Sequence, residues 1–211
     1  MNYMIHELFP IPLYHARLAP VDSLTLAKLT NLKFDAPGAE EEYVVHEETV
    51  ERHVLDRPEF IALKKTIQAH IDHYVYELVG VTKDQRWEVS SSWVNKSANS
   101  NYHANHWHSN SLVSGVLYLR TDEKSGAICF NKDRSHRNLW GDTITIDFVK
   151  PTIYNSAAMS ILPTDGDLLL FPSLLNHSVE HNESSIDRYS LAFNVFPRGT
   201  IGPGGNCELT V

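Results

Sequence analysis

The chain has 211 residues, 42% of them hydrophobic, and a formal net charge of −8. That length suits one substantial core and leaves a second one cramped, while the acidic balance argues against a nucleic acid backbone as the main partner. No apolar run approaches the roughly 20 residues that span a bilayer, and the opening MNYMIHELFP has neither the basic region nor the apolar run of a secretory signal, so a cytoplasmic location is expected. The two cysteines, Cys129 and Cys207, form no metal-binding pair and receive no role.

A short helix is predicted over about Val21 to Asn31, ahead of an acidic surface loop containing GAEEEY. The clearest early element runs from about Pro58 to Val79, where Phe60, Leu63, Ile67, Ile71, Tyr74, Val75 and Leu78 recur at spacings of three and four. That spacing predicts an amphipathic helix, with Asp56 as its cap and Gly80 as its left-handed stop. From Trp87 onward the texture changes to short strands between turn residues: WEVSSSWVN, SLVSGVLYLR, GAICF, DTITIDFV, AMSILP, DLLLF and RYSLAFNVF. The fold expected is one domain over 1–211, mainly β with N-terminal helices. Residues 1–86 form a helical layer with the strands leading into the core, and residues 87–211 form an antiparallel sandwich or barrel with the jelly roll as leading candidate.

Three features of the β region carry chemistry. In NHWHSNSLVSGVLYL, at 105–119, His106 and His108 are two apart, a spacing that on a strand sends both imidazoles to one side. The chain has twelve histidines, so the pair needs a third ligand before it means much. His177 is the best candidate, five residues after Pro172 where a strand should begin, whereas His181 sits in a polar HNESS turn where exposure is expected. In RYSLAFNVF, alternation puts Arg188, Ser190, Ala192 and Asn194 on one face and Tyr189, Leu191, Phe193 and Val195 on the other. The second face is core; the first offers a guanidinium fork and a hydroxyl, which suit a carboxylate.

In combination these residues resemble the 2-oxoglutarate/Fe(II)-dependent oxygenases, and more closely a family of small oxygenases of that class from bacteria and their phages, within the prolyl-hydroxylase-like superfamily. The resemblance runs through LFPIPL near the start, SWVN at 92–95, HWHSNSLVSGVLYL at 106–119, GDLLLFPSLLNHSVEHN at 166–182 and RYSLAFNV at 188–195. It implies a double-stranded β-helix with iron at one open end. By that resemblance His106, His108 and His177 would bind Fe(II), Arg188 and Ser190 would hold the distal carboxylate of 2-oxoglutarate, and dioxygen would be the oxidant. Oxidative decarboxylation to succinate, with hydroxylation of a small molecule or an amino-acid or protein side chain, is the implied outcome. Asn95 and Tyr118 are further candidates for the keto acid's surroundings. Trp93, Tyr102, Ser114 and Asn194 are candidate pocket neighbours, and Arg134 a candidate loop residue facing substrate.

One departure stands out. The usual centre of this class has two histidines and one carboxylate, but the second position here is His108; His103 with Asn105 is the alternative pairing. Two other readings are a cupin, whose first motif expects a glutamate where this chain has Leu112 and Val113, and a noncatalytic jelly-roll binding module. A cupin leaves Arg188 and Ser190 without a role. The substrate and the oligomeric state are not written in the sequence.

Overall fold

The computed structural model describes residues 1–36, 44–132, 146–202 and 208–211. Asp22 opens the first helix by accepting from the backbone N–H groups of Leu24 and Thr25, so α1 spans Ser23–Thr30. It follows β1 (Tyr14–Arg17) and precedes β2 (Phe34–Asp35), β3 (Val44–Val45) and β4 (Glu47–Thr49). Next come α2 (Ile61–Asp72) and the strands β5 (Arg86–Ser97), β6 (Tyr102–His106), β7 (Val113–Arg120) and β8 (Ile128–Asn131). The chain then runs through β9 (Ala158–Ile161), β10 (Asp167–Pro172), β11 (His177–Val179) and β12 (Arg188–Arg198), ending in a small ribbon of β13 (Thr200–Ile201) and β14 (Leu209–Thr210).

The strands form a seven-stranded sheet in the order β1-β10-β7-β12-β5-β4-β2 and a five-stranded sheet in the order β3-β6-β11-β8-β9. This is the antiparallel jelly roll expected from the sequence. At β7 and β10 the large sheet packs apolar residues on both faces, which is why DLLLF and SGVLYL read as nearly continuous apolar runs. Toward the helices, Leu117, Leu168, Leu170, Leu191 and Phe193 join Ile67, Ile71 and Tyr74 in one core. Toward the small sheet, Val116, Tyr118, Leu169 and Phe171 pack with Ile128 and Phe130. Position 115 must be glycine, because a Cβ there would lie 2.2 Å from a Phe193 ring atom and 2.8 Å from Leu170.

Several expectations need correction. The segment from Pro58 to Val79 is not one α-helix: it enters as a 3₁₀ turn over Pro58–Phe60, continues as α2 and widens into a π-helix over His73–Val79. Asp56 does not cap it, since Arg57 stands at the cap with extended backbone and Asp56 instead accepts from Lys64 Nζ at 2.5 Å. Gly80 does stop it, at φ 79°. The leading region supplies four strands, three of them at sheet edges and β4 against β5, where the sequence showed chiefly helices. Of the predicted strand DTITIDFV, residues 146–148 are not extended into a sheet, and 142–145, like GAEEEY at 38–43, Arg134 and Cys207, lie outside the described residues. Cys129 is a free thiol beside Ser160.

Candidate active site

The histidine pair does not open a strand, as its alternating sequel suggested; it closes one. His106 is the last residue of β6, and His108 lies beyond it, tied down by its backbone N–H to the carbonyl of Ser173 at 3.0 Å. His177, the first residue of β11, is the cross-strand partner of His106. One ring nitrogen from each of the three lies within 4.8 Å of the others. The opposite nitrogens are all engaged. Nδ1 of His106 is 2.8 Å from the carbonyl of Ala104, Nδ1 of His177 is 2.9 Å from that of Leu175, and Nδ1 of His108 is 2.7 Å from Oδ1 of Asn194. Oxygens of this kind only accept, so each Nδ1 carries the proton and each Nε2 keeps a lone pair.

Burial holds the three rings neutral. It lowers the pKa of His106 to about 4 and that of His177 to about 3, with the remaining histidines adding to the effect, and it lowers His108 as well. A neutral imidazole is the metal-binding form. Behind His108 runs a polar network: Ser114 Oγ also donates to Asn194 Oδ1, Ser114 meets Ser173, and Ser173 meets Ser111. Asn194 and Ser114, expected in the pocket, therefore fix the ring of His108.

The opposite wall follows from sheet register. Ser190 of β12 pairs with Asn95 of β5 on one side and Tyr118 of β7 on the other, so the three side chains share one row of one face. One row along, Arg188 pairs with Ser97. The Arg188 guanidinium is 4% exposed, donates to the carbonyl of Ser125 at 2.6 Å and to Ser97 Oγ at 3.0 Å, and has no carboxylate partner among the described residues. The hydroxyls of Tyr118 and Ser190 make no hydrogen bond to the described residues; burial raises the Tyr118 pKa, so that phenol stays protonated. Trp93 donates its indole N–H to Asn95 and stacks on His108. These groups and the three histidines line a single cavity of about 310 Å³ between the sheets.

The same cavity holds His103, weighed above only as an alternative ligand with Asn105, and two residues the sequence did not single out, His46 and Glu48. His103 stacks on His106 with ring centroids 3.7 Å apart, His46 follows at 4.7 Å from His103, and Glu48 accepts from His46 Nε2 at 3.2 Å. Burial and the neighbouring histidines take His103 to a pKa of about 2. No local signal could have placed His46 and Glu48, since β3 and β4 reach β6 and β5 only through long-range pairing. Asn105 points elsewhere, exposed and hydrogen-bonded to Asn131, so the alternative pairing with His103 is not assembled. His181 is exposed, packed on Tyr102 and bonded to the carbonyl of Ser100. Tyr102 is thereby occupied away from the histidine triad.

Residues 91–194 match the family model described as "Putative 2OG-Fe(II) oxygenase". Over this segment the chain is similar to the 2OG-Fe(II) oxygenases. The matched stretch contains all three clustered histidines, Arg188 and Ser190. The family's cofactor is Fe(II) and its cosubstrates are 2-oxoglutarate and dioxygen, which sets the cupin reading aside. No curated protein matches the chain. Solved structures do: a prolyl-4-hydroxylase from Pseudomonas putida aligns at TM-score 0.56 and 12% identity over 87% of this chain and 92% of its own. The viral collagen prolyl hydroxylase of Paramecium bursaria Chlorella virus-1, solved as a 2-oxoglutarate complex, aligns at 0.52 and 13% over 86% and 95%. HygX of Streptomyces hygroscopicus, solved with nickel, 2-oxoglutarate and hygromycin B, aligns at 0.55 and 12% over 88% and 82%. At these identities the likeness is one of fold.

The donor set fits a divalent first-row ion. Three neutral imidazoles with fixed tautomers suit Fe(II), and the buried, unpaired guanidinium across the same cavity suits a dicarboxylate.

Proposed function

We propose that the chain is a 2-oxoglutarate-dependent hydroxylase in which His106, His108 and His177 hold Fe(II). Arg188 and Ser190 bind the distal carboxylate of 2-oxoglutarate, with Tyr118 and Asn95 beside it. The carrying observation is Arg188: a guanidinium buried without a counter-ion is costly unless an anion arrives to pair with it. Bound iron would supply the redox chemistry that couples decarboxylation of 2-oxoglutarate to succinate with oxidation of a substrate C–H bond.

The chain's own residues do the rest. Asn194 and the carbonyls of Ala104 and Leu175 hold the Nδ1 protons of the three histidines, so their lone pairs need not reorganise when metal enters. Arg188 and the two free hydroxyls meet the carboxylate in a site closed by Ile128, Phe171 and Val116, where water competes little. A cavity of about 310 Å³ shared with the keto acid leaves room for a compact group, either a small molecule or an amino-acid or protein side chain. The P. putida and viral neighbours are prolyl hydroxylases and HygX holds hygromycin B, so the fold accommodates both kinds. The helices and the large sheet share one core, which supports a single working domain, and we assign the activity to the cytoplasm. No helix among the described residues is long and apolar enough to cross a membrane.

The test is conversion of 2-oxoglutarate to succinate by Fe(II)-loaded protein in air. Wild type should turn over slowly without substrate, and His177→Ala and Arg188→Ala should not. Turnover that survives both substitutions would contradict the assignment.

A further inference from the structure

Three neutral histidines bring no negative charge to a divalent ion, and the position that normally supplies it is His108. Among the described residues lining the cavity, Glu48 is the single carboxylate. It reaches the site from the leading region, on β4 opposite Asn95 of β5. Its side chain is 17% exposed. Oε1 meets His46 Nε2, the His46 ring packs on His103, and His103 stacks on His106, so a continuous line of side chains runs from the carboxylate to a triad ring. Burial by itself would raise the pKa of Glu48, but hydrogen bonds from His46 and Arg52 outweigh it and keep the group ionised.

Glu48 could instead anchor a basic group on the substrate. The chain has filled that niche itself, because Oε2 accepts from Arg52 Nη1 at 2.5 Å and the Arg52 guanidinium lies over the Trp93 ring at 5.9 Å. Arg52 is half exposed, so water screens its charge. Glu48 faces inward, where screening is weaker.

We infer that Glu48 is an outer carboxylate of the three-histidine centre, a positioning residue that offsets the ion's charge without touching it and steadies His106 through His46 and His103. This rests on the metal assignment proposed above. A carboxylate bonded directly to a metal-bound histidine typically changes metal affinity 10- to 100-fold; Glu48 bonds to His46 and reaches His106 only through His103, so a smaller effect is expected.

The test is anaerobic titration of the full chain with Mn(II), reading free metal by electron paramagnetic resonance, on wild type, Glu48→Gln, Arg52→Met and His177→Ala. Glutamine keeps the shape and loses the charge. Glu48→Gln should weaken Mn(II) by up to roughly tenfold, the lower end of the range for direct partners of ligand histidines, with the thermal midpoint of the metal-free protein close to wild type. Arg52→Met breaks the same ion pair from its other end, yet should leave Mn(II) affinity unchanged or raise it, since it removes a positive charge. A purely structural role for the pair would make the two variants lose affinity alike, and that result would overturn the inference, as would unchanged affinity in Glu48→Gln. Failure of the metal assignment is distinguishable: wild type would then bind no stoichiometric Mn(II), or His177→Ala would bind it as well as wild type, and the inference would fall with the assignment.

Discussion

The two faces of β12 differ in what they leave unsatisfied. Toward the helices, Leu191, Phe193 and Val195 are fully buried among apolar neighbours. Toward the cavity, one residue out of phase, Arg188 is buried with a charge no described residue neutralises, and the Ser190 hydroxyl and its neighbour on β7, that of Tyr118, have no described partner. Folding completes the first face, while the second is completed only when something binds. Substitutions one residue apart on the same strand should therefore divide cleanly between stability and ligand affinity.

The sharpest way to break this contrast is on the apolar face. Phe193→Ala empties a fully buried site against Gly115 and should cost about 3–5 kcal/mol in urea unfolding. Whatever fraction stays folded should bind 2-oxoglutarate normally. Arg188→Ala should behave in the opposite way, losing about 1.5–3 kcal/mol of 2-oxoglutarate affinity by calorimetry with Mn(II) present, and lowering the unfolding free energy far less than Phe193→Ala. If Arg188→Ala unfolds the protein instead, its bonds to Ser125 and Ser97 are structural and the two faces are not different in kind.

A control lies at the start of β10, away from the cavity. Asp167 is buried; burial would raise its pKa, but hydrogen bonds from Arg17, the Thr164 backbone, His15 and the Thr164 hydroxyl prevail and lower it to about 2. A depressed folded value means the stabilisation is present above the unfolded value near 3.8 and is lost as pH falls from there through about 2. The loss should amount to about 2 kcal/mol or less, because Arg17 is largely exposed. Asp167→Asn should flatten that part of the stability–pH curve, and an unchanged curve would show the shift is not real. The smallest effect is expected at His181, where alanine should change Mn(II) affinity less than about twofold, within the range of neutral surface changes. His177→Ala should abolish binding.

What could be read from the sequence was what strand alternation encodes. Arg188, Ser190 and Asn194 share a face because period two requires it, and His177 opens β11 because a turn after Pro172 hands the chain to a new strand. His106 and His108 were identified for a partly mistaken reason: they converge although only His106 is on a strand, and it is Asn194 and the carbonyl of Ser173 that bring His108 round. His46 and Glu48 were illegible because the pairings that deliver them, β4 on β5 and β3 on β6, join segments about fifty to sixty residues apart with no periodic signature. The 3₁₀ and π ends of the long helix were hidden for a related reason, since apolar spacing marks the buried face and not the hydrogen-bond pattern.

An ion held by three neutral histidines and a dianion held by Arg188 should complete one another. Anaerobic Mn(II) titrations with and without saturating 2-oxoglutarate test it directly. The keto acid should tighten Mn(II) by about tenfold or more, and linkage then requires Mn(II) to tighten 2-oxoglutarate by the same factor. Equal Mn(II) affinities in the two titrations would contradict a shared site.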